Sequence, residues 1–304
     1  MFRFVTKILG GFVNFLFKHL PIGYRVYVFI SNTAIAISIV NKLKYMKANE
    51  YMKAPSKQML DARKYFKENI DRVDKCASFL HDDESRAVYR SMISFRCNSD
   101  PSGFITSKQK HLYFINEYFN YSTEEVLVDC GAYIGDTISN FKKAMKRKNG
   151  KYTKIVAFEP DSRCYKTLVK RYKDIIAIKA GVWCKDDKLF FSGDGAVFSV
   201  SDESDSTNGY GEHIDVRSID SCPECEGVTF IKMDIEGAEM EALIGGKNTI
   251  SKYKPKLAIS IYHSDADMIR IIEWVHANFP EYRLFIRQHE KYATNDTVLY
   301  AMIV

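Results

Sequence analysis

The chain has 304 residues, 46% of them hydrophobic and 27% charged, which excludes a disordered or fibrous protein and leaves room for one large domain with an accessory region. Its net charge of +6 is no sign of nucleic-acid binding, because residues 1–49 hold seven Lys or Arg and no acid, whereas residues 50–304 hold 37 basic and 38 acidic side chains. Seven scattered cysteines and no cleavable signal sequence argue against a disulfide framework, so the expected setting is reducing and cytoplasmic.

The basic arm, residues 1–49, is also densely apolar, with Phe2, Phe4, Ile8, Leu9, Phe12, Phe15 and Phe17 ahead of an uncharged run over residues 26–41. That run falls short of the roughly 20 residues of a membrane span. It is also interrupted by Ser31, Asn32, Thr33 and Ser38. Two readings stand: peripheral attachment to anionic lipid at the inner face of the membrane, or helices docked on the body or on a second subunit.

Residues 50–120 read as a helical accessory region. Over residues 56–95, Leu60, Ala62, Tyr65, Phe66, Ile70, Val73, Ala77, Phe79 and Leu80 recur at helical spacing, and Asp100, Pro101, Ser102 and Gly103 then punctuate the chain. A second, aromatic helix is expected over residues 109–119, where Tyr113, Phe114, Tyr118 and Phe119 either line a pocket or cover a sheet.

Residues 121–304 change to short apolar runs separated by polar helical stretches, the pattern of a mostly parallel α/β sheet covered on both faces. Seven strands are predicted, at 126–129, 155–159, 175–180, 228–234, 257–262, 282–286 and 298–303. The Ser-, Asp- and Gly-rich segment 192–208 follows a hairpin-like continuation of the third strand and reads either as a loop over the site or as a solvated surface loop.

The first strand runs into Asp129-Cys130-Gly131-Ala132-Tyr133-Ile134-Gly135-Asp136. Gly131 and Gly135 permit a tight turn before a helix whose first amides are free to meet a ligand. The second strand ends at Glu159, where an acid can accept both hydroxyls of a ribose. A dinucleotide site normally carries a further glycine between those two, and Asp129 suits an ammonium better than a pyrophosphate. A nucleoside ligand bearing a cationic amino acid portion is favoured over NAD.

Four stretches, Val126-Leu-Val-Asp-Cys-Gly-Ala-Tyr-Ile-Gly-Asp-Thr137, Phe158-Glu-Pro-Asp161, Phe230-Ile-Lys-Met-Asp-Ile-Glu-Gly-Ala-Glu239 and Lys256-Leu-Ala-Ile-Ser-Ile-Tyr-His263, resemble the FkbM-type methyltransferases across roughly residues 75–304. The resemblance implies the class I methyltransferase, Rossmann-like seven-stranded sheet, with the seventh strand antiparallel between the fifth and sixth. It also implies an S-adenosylmethionine-dependent O-methyltransferase acting on a hydroxyl of a sugar, glycan or related metabolite, with Asp129, Gly131, Gly135 and Glu159 holding S-adenosylmethionine. A nicotinamide-dependent oxidoreductase and a non-catalytic membrane-associated protein are the competing classes.

For the chemical step, His263 at the end of the fifth strand is the expected base, neutral near pH 7, with Asp234 beside it. A packed or helix-capping His263 is the alternative. His213 is the nearest rival, and His276 fits a helical pattern. Lys232, Asp234 and Glu236 alternate along the fourth strand. Asp234 and Glu236, with Asp220 or Asp265, could hold magnesium or calcium, but the lack of a compact ligand motif makes chemistry without a metal the default. Cys222 and Cys225 have ligand spacing without a second pair and read as loop residues.

Overall fold

The computed structural model describes residues 55–303 apart from 101, 109–110, 116–120, 122–123, 193–198, 202–211 and 292. The basic arm, and with it the membrane reading, lies outside the described residues. Among the described residues, no helix is long and apolar enough to cross a membrane. Residues 57–290 and 294–304 make one compact unit.

That unit opens with three helices, α1 (Lys57–Glu68), α2 (Ile70–Phe79) and α3 (Asp83–Asn98). The single helical stretch read from periodicity is broken at Asn69 and at Leu80–Asp82, where Leu80 is extended and Asp82 caps α3 by accepting from the Ser85 amide at 2.7 Å. Val73, Cys76, Val88, Tyr89 and Met92 from these helices share one buried cluster with the sheet residues Leu284, Ile286 and Leu299.

The carboxyl-terminal part contains β1 (Glu125–Cys130), α4 (Asp136–Arg147), β2 (Tyr152–Phe158), α5 (Ser162–Arg171), β3 (Ile176–Ile178), β4 (Gly181–Val182), β5 (Asp187–Ser192), β6 (Ser199–Ser201) and β7 (Glu212–Arg217). It continues with β8 (Phe230–Met233), α6 (Glu239–Gly245), α7 (Lys247–Tyr253), β9 (Lys256–Ser260), α8 (Asp267–Asn278), β10 (Arg283–Gln288) and β11 (Thr297–Met302). Seven strands form the main sheet in the order β10-β11-β9-β8-β1-β2-β3. The pairs β9/β8, β8/β1, β1/β2 and β2/β3 are parallel, while β11 runs antiparallel to both β9 and β10. This is the class I methyltransferase sheet, and all seven predicted strands are present in it. β1 is buried along its whole length, which is why its sequence is a near-continuous apolar run rather than an alternation.

Two sequence expectations differ from the structure. Residues 111–115, inside the expected aromatic helix, are not helical. Tyr113 adopts φ 64°, its amide donates to the Tyr300 hydroxyl at 3.0 Å, and its own hydroxyl reaches Asp234, so tertiary hydrogen bonds override the local helical periodicity. Phe114 covers the sheet against Phe141 and Phe230. The second difference is an added sheet, β4-β7-β5-β6, which takes up the hairpin-like continuation after β3 and part of the segment 192–208; residues 193–198 and 202–208 lie outside the described residues.

Candidate active site

A cavity of about 450 Å³ opens at the carboxyl ends of β1, β2 and β8, the place where a parallel α/β sheet offers its ligand crevice. Gly131, Glu159, Lys232 and Asp234 line it from the main sheet, and Val182, Trp183, Ile214 and Val216 close it from the added sheet.

Gly131 turns the chain at φ 81°, and a Cβ there would lie 2.0 Å from the Asp234 carbonyl oxygen. Only glycine fits where the β1 and β8 ends approach this closely. Gly135, at φ 85°, has a different task. It is the residue before α4, and a Cβ there would strike the Tyr172 ring at 2.3 Å, so it packs helix against helix rather than lining the cavity.

Asp129 also lies away from the cavity wall. It is fully buried beneath it and faces Lys232, its cross-strand partner in register on β8, with Nζ 3.1 Å from Oδ1. Burial pushes the Asp129 carboxyl up to about 6, and Lys232 offsets part of that. Lys232 stays a cation, since burial is outweighed by Asp129 and Asp234; its ammonium also donates to the carbonyls of Gly131 at 2.7 Å and Cys130 at 3.1 Å. The expectation that Asp129 meets a ligand ammonium therefore gives way to a structural pair that ties the two strand ends together.

Glu159 does line the cavity, 6% exposed, immediately after β2. Its oxygens accept from the amides of Tyr133 at 2.8 Å and Asp161 at 2.9 Å, which fixes the carboxylate at the β1–α4 turn. Burial pushes it up to about 7, and those two amides moderate the rise. Asp161 then caps α5 through the amides of Arg163 and Cys164.

Asp234 follows β8 and is held at both oxygens, by the Tyr113 hydroxyl at 2.7 Å and the Tyr262 hydroxyl at 3.0 Å. Burial would raise its carboxyl, but Lys232 and His263 hold it below the ordinary range. The chain then turns through Glu236 at φ 57° and Gly237 at φ 101°. Glu239, wholly buried in the first turn of α6, accepts from the amides of Ile235 at 2.8 Å and Gly237 at 3.0 Å and so locks this turn.

His263 stands behind Asp234 and does not reach the cavity wall. Its Nε2 is 3.5 Å from Asp234 and 3.3 Å from Glu236, and its Nδ1 is 3.0 Å from Glu239. Burial alone would lower the imidazole pKa, but Glu236, Glu239 and Asp234 together raise it to about 10. The ring therefore favours a positive charge at neutral pH, and a neutral base waiting at this position is not what three neighbouring carboxylates support.

The other sequence candidates sit apart. Asp220 accepts from the amides of Asn248 and Thr249 at the start of α7, and Asp265 is paired with Arg96 at 2.8 Å, so neither joins an oxygen site with Asp234. His276 stacks on Phe79 with ring centroids 3.8 Å apart, and His213 is exposed on β7. Cys222 and Cys225 are free and buried at a short 3-10 turn. Glu239 is a site residue that a strand-end position cannot reveal, because it lies in the first turn of α6. Its signal is the last acid of Asp234-Ile-Glu-Gly-Ala-Glu239, an acidic side chain in a first helical turn with two orphan amides just upstream.

The sheet order, the glycine turn after β1 and the acid after β2 define the class I methyltransferase fold. Residues 129–292 match the methyltransferase FkbM domain, and the chain belongs to that family. In structure it is similar to a methyltransferase FkbM from Methylobacillus flagellatus KT, with 29% identity and a TM-score of 0.65 over 78% of this chain; the chain spans 59% of that protein's length. Lesser similarities are to an rRNA methylase from Streptococcus thermophilus (13% identity, TM-score 0.37, 60% of this chain and 87% of that one) and to Aeropyrum pernix fibrillarin solved with natively bound S-adenosylmethionine (11% identity, TM-score 0.37, 60% and 67%). Comparison with curated proteins gives no match.

Proposed function

We propose that this protein is an S-adenosylmethionine-dependent O-methyltransferase whose acceptor is a hydroxyl of a sugar, glycan or related metabolite. The observation that carries the cofactor reading is Glu159: a nearly buried carboxylate on the wall of the cavity, anchored by two backbone amides beside the Gly131 turn. A carboxylate so placed suits the two hydroxyls of a ribose, and the apolar lining of Trp183, Ile214 and Val216 suits a purine. Bound S-adenosylmethionine would supply an electrophilic methyl on a sulfonium.

What the chain itself does is bind, orient and exclude water. Asp234, on the cavity wall with both oxygens fixed by tyrosine hydroxyls, is the group positioned to accept a hydrogen bond from the acceptor hydroxyl. Lys232 and the carbonyls around it hold β1 and β8 together beneath that point. His263 acts through Asp234 and the turn at residues 235–239 as a positioning residue.

Calorimetry of the full chain with S-adenosylmethionine, S-adenosylhomocysteine and NAD tests the reading. Saturable heats with the first two and none with NAD are expected; binding of NAD alone would overturn it in favour of an oxidoreductase. The basic arm supports a second, separable proposal, peripheral association with anionic membrane that brings the site near a lipid-linked acceptor. Co-sedimentation with anionic vesicles should fall when the chain begins at Glu50, and equal partitioning of the two proteins would reject it.

A further inference from the structure

Besides lining the cavity, Asp234 belongs to a second cluster behind the wall, with Glu239 and His263. One oxygen each from Asp234 and Glu239 and one imidazole nitrogen of His263 lie within 4.8 Å of one another. The His263 side chain is only 9% exposed, and neither of its ring nitrogens makes an aligned hydrogen bond despite carboxylates 3.0–3.5 Å away. Buried polar atoms are nearly always satisfied, yet these nitrogens have only unaligned charge opposite them, and a divalent cation that displaced the ring proton would satisfy nitrogen and carboxylates together.

We propose that Asp234, Glu239 and His263 form a binding site for a first-row divalent cation of the manganese-to-zinc class. One imidazole nitrogen with two carboxylate oxygens is a donor set for such an ion rather than for calcium or magnesium, which prefer oxygen alone. The donors come from three places, the end of β8, the first turn of α6 and the residues after β9, and two are already held by outer hydrogen bonds. Tyr113 and Tyr262 fix Asp234, and the amides of Ile235 and Gly237 fix Glu239. Such outer contacts orient metal ligands and are themselves worth tenfold or more in affinity. Glu236, 3.3 Å from Nε2, adds negative charge at the rim. Because Asp234 also lines the cavity, the ion would sit against the wall where the acceptor hydroxyl is expected, and this last clause alone rests on the methyltransferase reading.

The test is a titration of the full chain, stripped with chelator, with Mn²⁺, following free ion by electron paramagnetic resonance. One saturable site per chain is expected, weakened at least tenfold in Asp234→Asn and in His263→Asn and unchanged in Asp71→Asn, an exposed acid on α2. Absence of a saturable site in the folded protein would overturn the proposal, as would full retention of binding in both site variants. Should His263→Asn fail to fold by circular dichroism, Asp234→Asn and the anomalous Mn²⁺ signal from a soaked crystal decide: a peak between the three side chains supports the site, and a peak elsewhere removes it. None of these readings needs methyl transfer, so failure of the cofactor assignment and failure of the metal site are distinguishable.

Discussion

Replacing Glu159 with Gln separates two properties of that residue. The carboxyl is raised from its ordinary 4.5 to about 7, with burial the main cause and the amides of Asp161 and Tyr133 opposing it. Between those two values the folded protein holds a proton that the unfolded chain has released. The stability linked to Glu159 is therefore present at low pH and is lost as pH rises through 7. A shift of this size corresponds to about 3 kcal/mol in full, of which about 2 kcal/mol falls between about pH 5.5 and about pH 8.5. For a domain of this size that is a drop of roughly 4–8 °C in the thermal transition. Gln does not titrate, so the variant should lack this part of the pH dependence. It also sets an NH2, which cannot accept, against one of the two amides, which lowers its stability by about 1–3 kcal/mol. Thermal unfolding of both proteins in the ligand-free form, across that pH range, gives the difference directly. Parallel pH curves for wild type and Glu159→Gln would refute a shifted ionisation. Calorimetry adds the functional half: S-adenosylhomocysteine should bind wild type more weakly below about pH 7, as the carboxylate is lost, and Glu159→Gln should bind weakly without that trend.

Gly131→Ala should cost about 2–5 kcal/mol by denaturant unfolding, from left-handed strain plus overlap with the Asp234 carbonyl; a loss under about 1 kcal/mol would show that the strand ends can part. Asp82→Ala removes the cap of α3 and the nearer of two carboxylates paired with the fully buried Arg287, 2.6 Å away, leaving Glu84 at 3.4 Å, so about 2–4 kcal/mol should be lost, with part of it regained in the double variant carrying Arg287→Met. An unchanged loss in the double variant would assign the whole effect to the cap. Deleting residues 298–304 removes β11 from between β9 and β10 and should abolish cooperative unfolding by circular dichroism, whereas an intact transition would contradict its central place in the sheet.

The main sheet was legible because its central strands are buried along most or all of their length and so spell apolar runs of strand length, as in Val126-Leu127-Val128 and Leu257-Ala258-Ile259. Glu159 was legible for a related reason: an acid directly after such a run falls on a strand end. The added sheet showed only as a hairpin-like continuation, because β4 has two residues and β6 three, too few to show a period. Tyr113 misled because it opens an aromatic run in which Phe114 and Tyr118 are four residues apart, while its conformation is set by Tyr300 and Asp234, far away in sequence. His263 read as a neutral base because sequence shows that it follows a strand, but not that Glu236 and Glu239 fold back onto it through a turn at Gly237. Charge at a site depends on what converges there, and convergence is a property of the turn.

The three amino-terminal helices also bear on solubility. A seven-stranded open sheet ends in two strands whose outer backbone groups can recruit another chain. At the β3 end the hazard is limited by length, three residues. At the β10 end the strand is twice as long and mostly buried, and here Leu80 makes a parallel bridge to Leu284 while the His81 amide donates to the Leu284 carbonyl at 2.8 Å. The Arg287–Asp82 pair and the bond from the Ile286 amide to Ser85 Oγ, 2.9 Å, keep that cover in place. The residues between α2 and α3 thus act as a blocking strand, and loosening them would leave the folded sheet intact in outline but open to edge-to-edge growth.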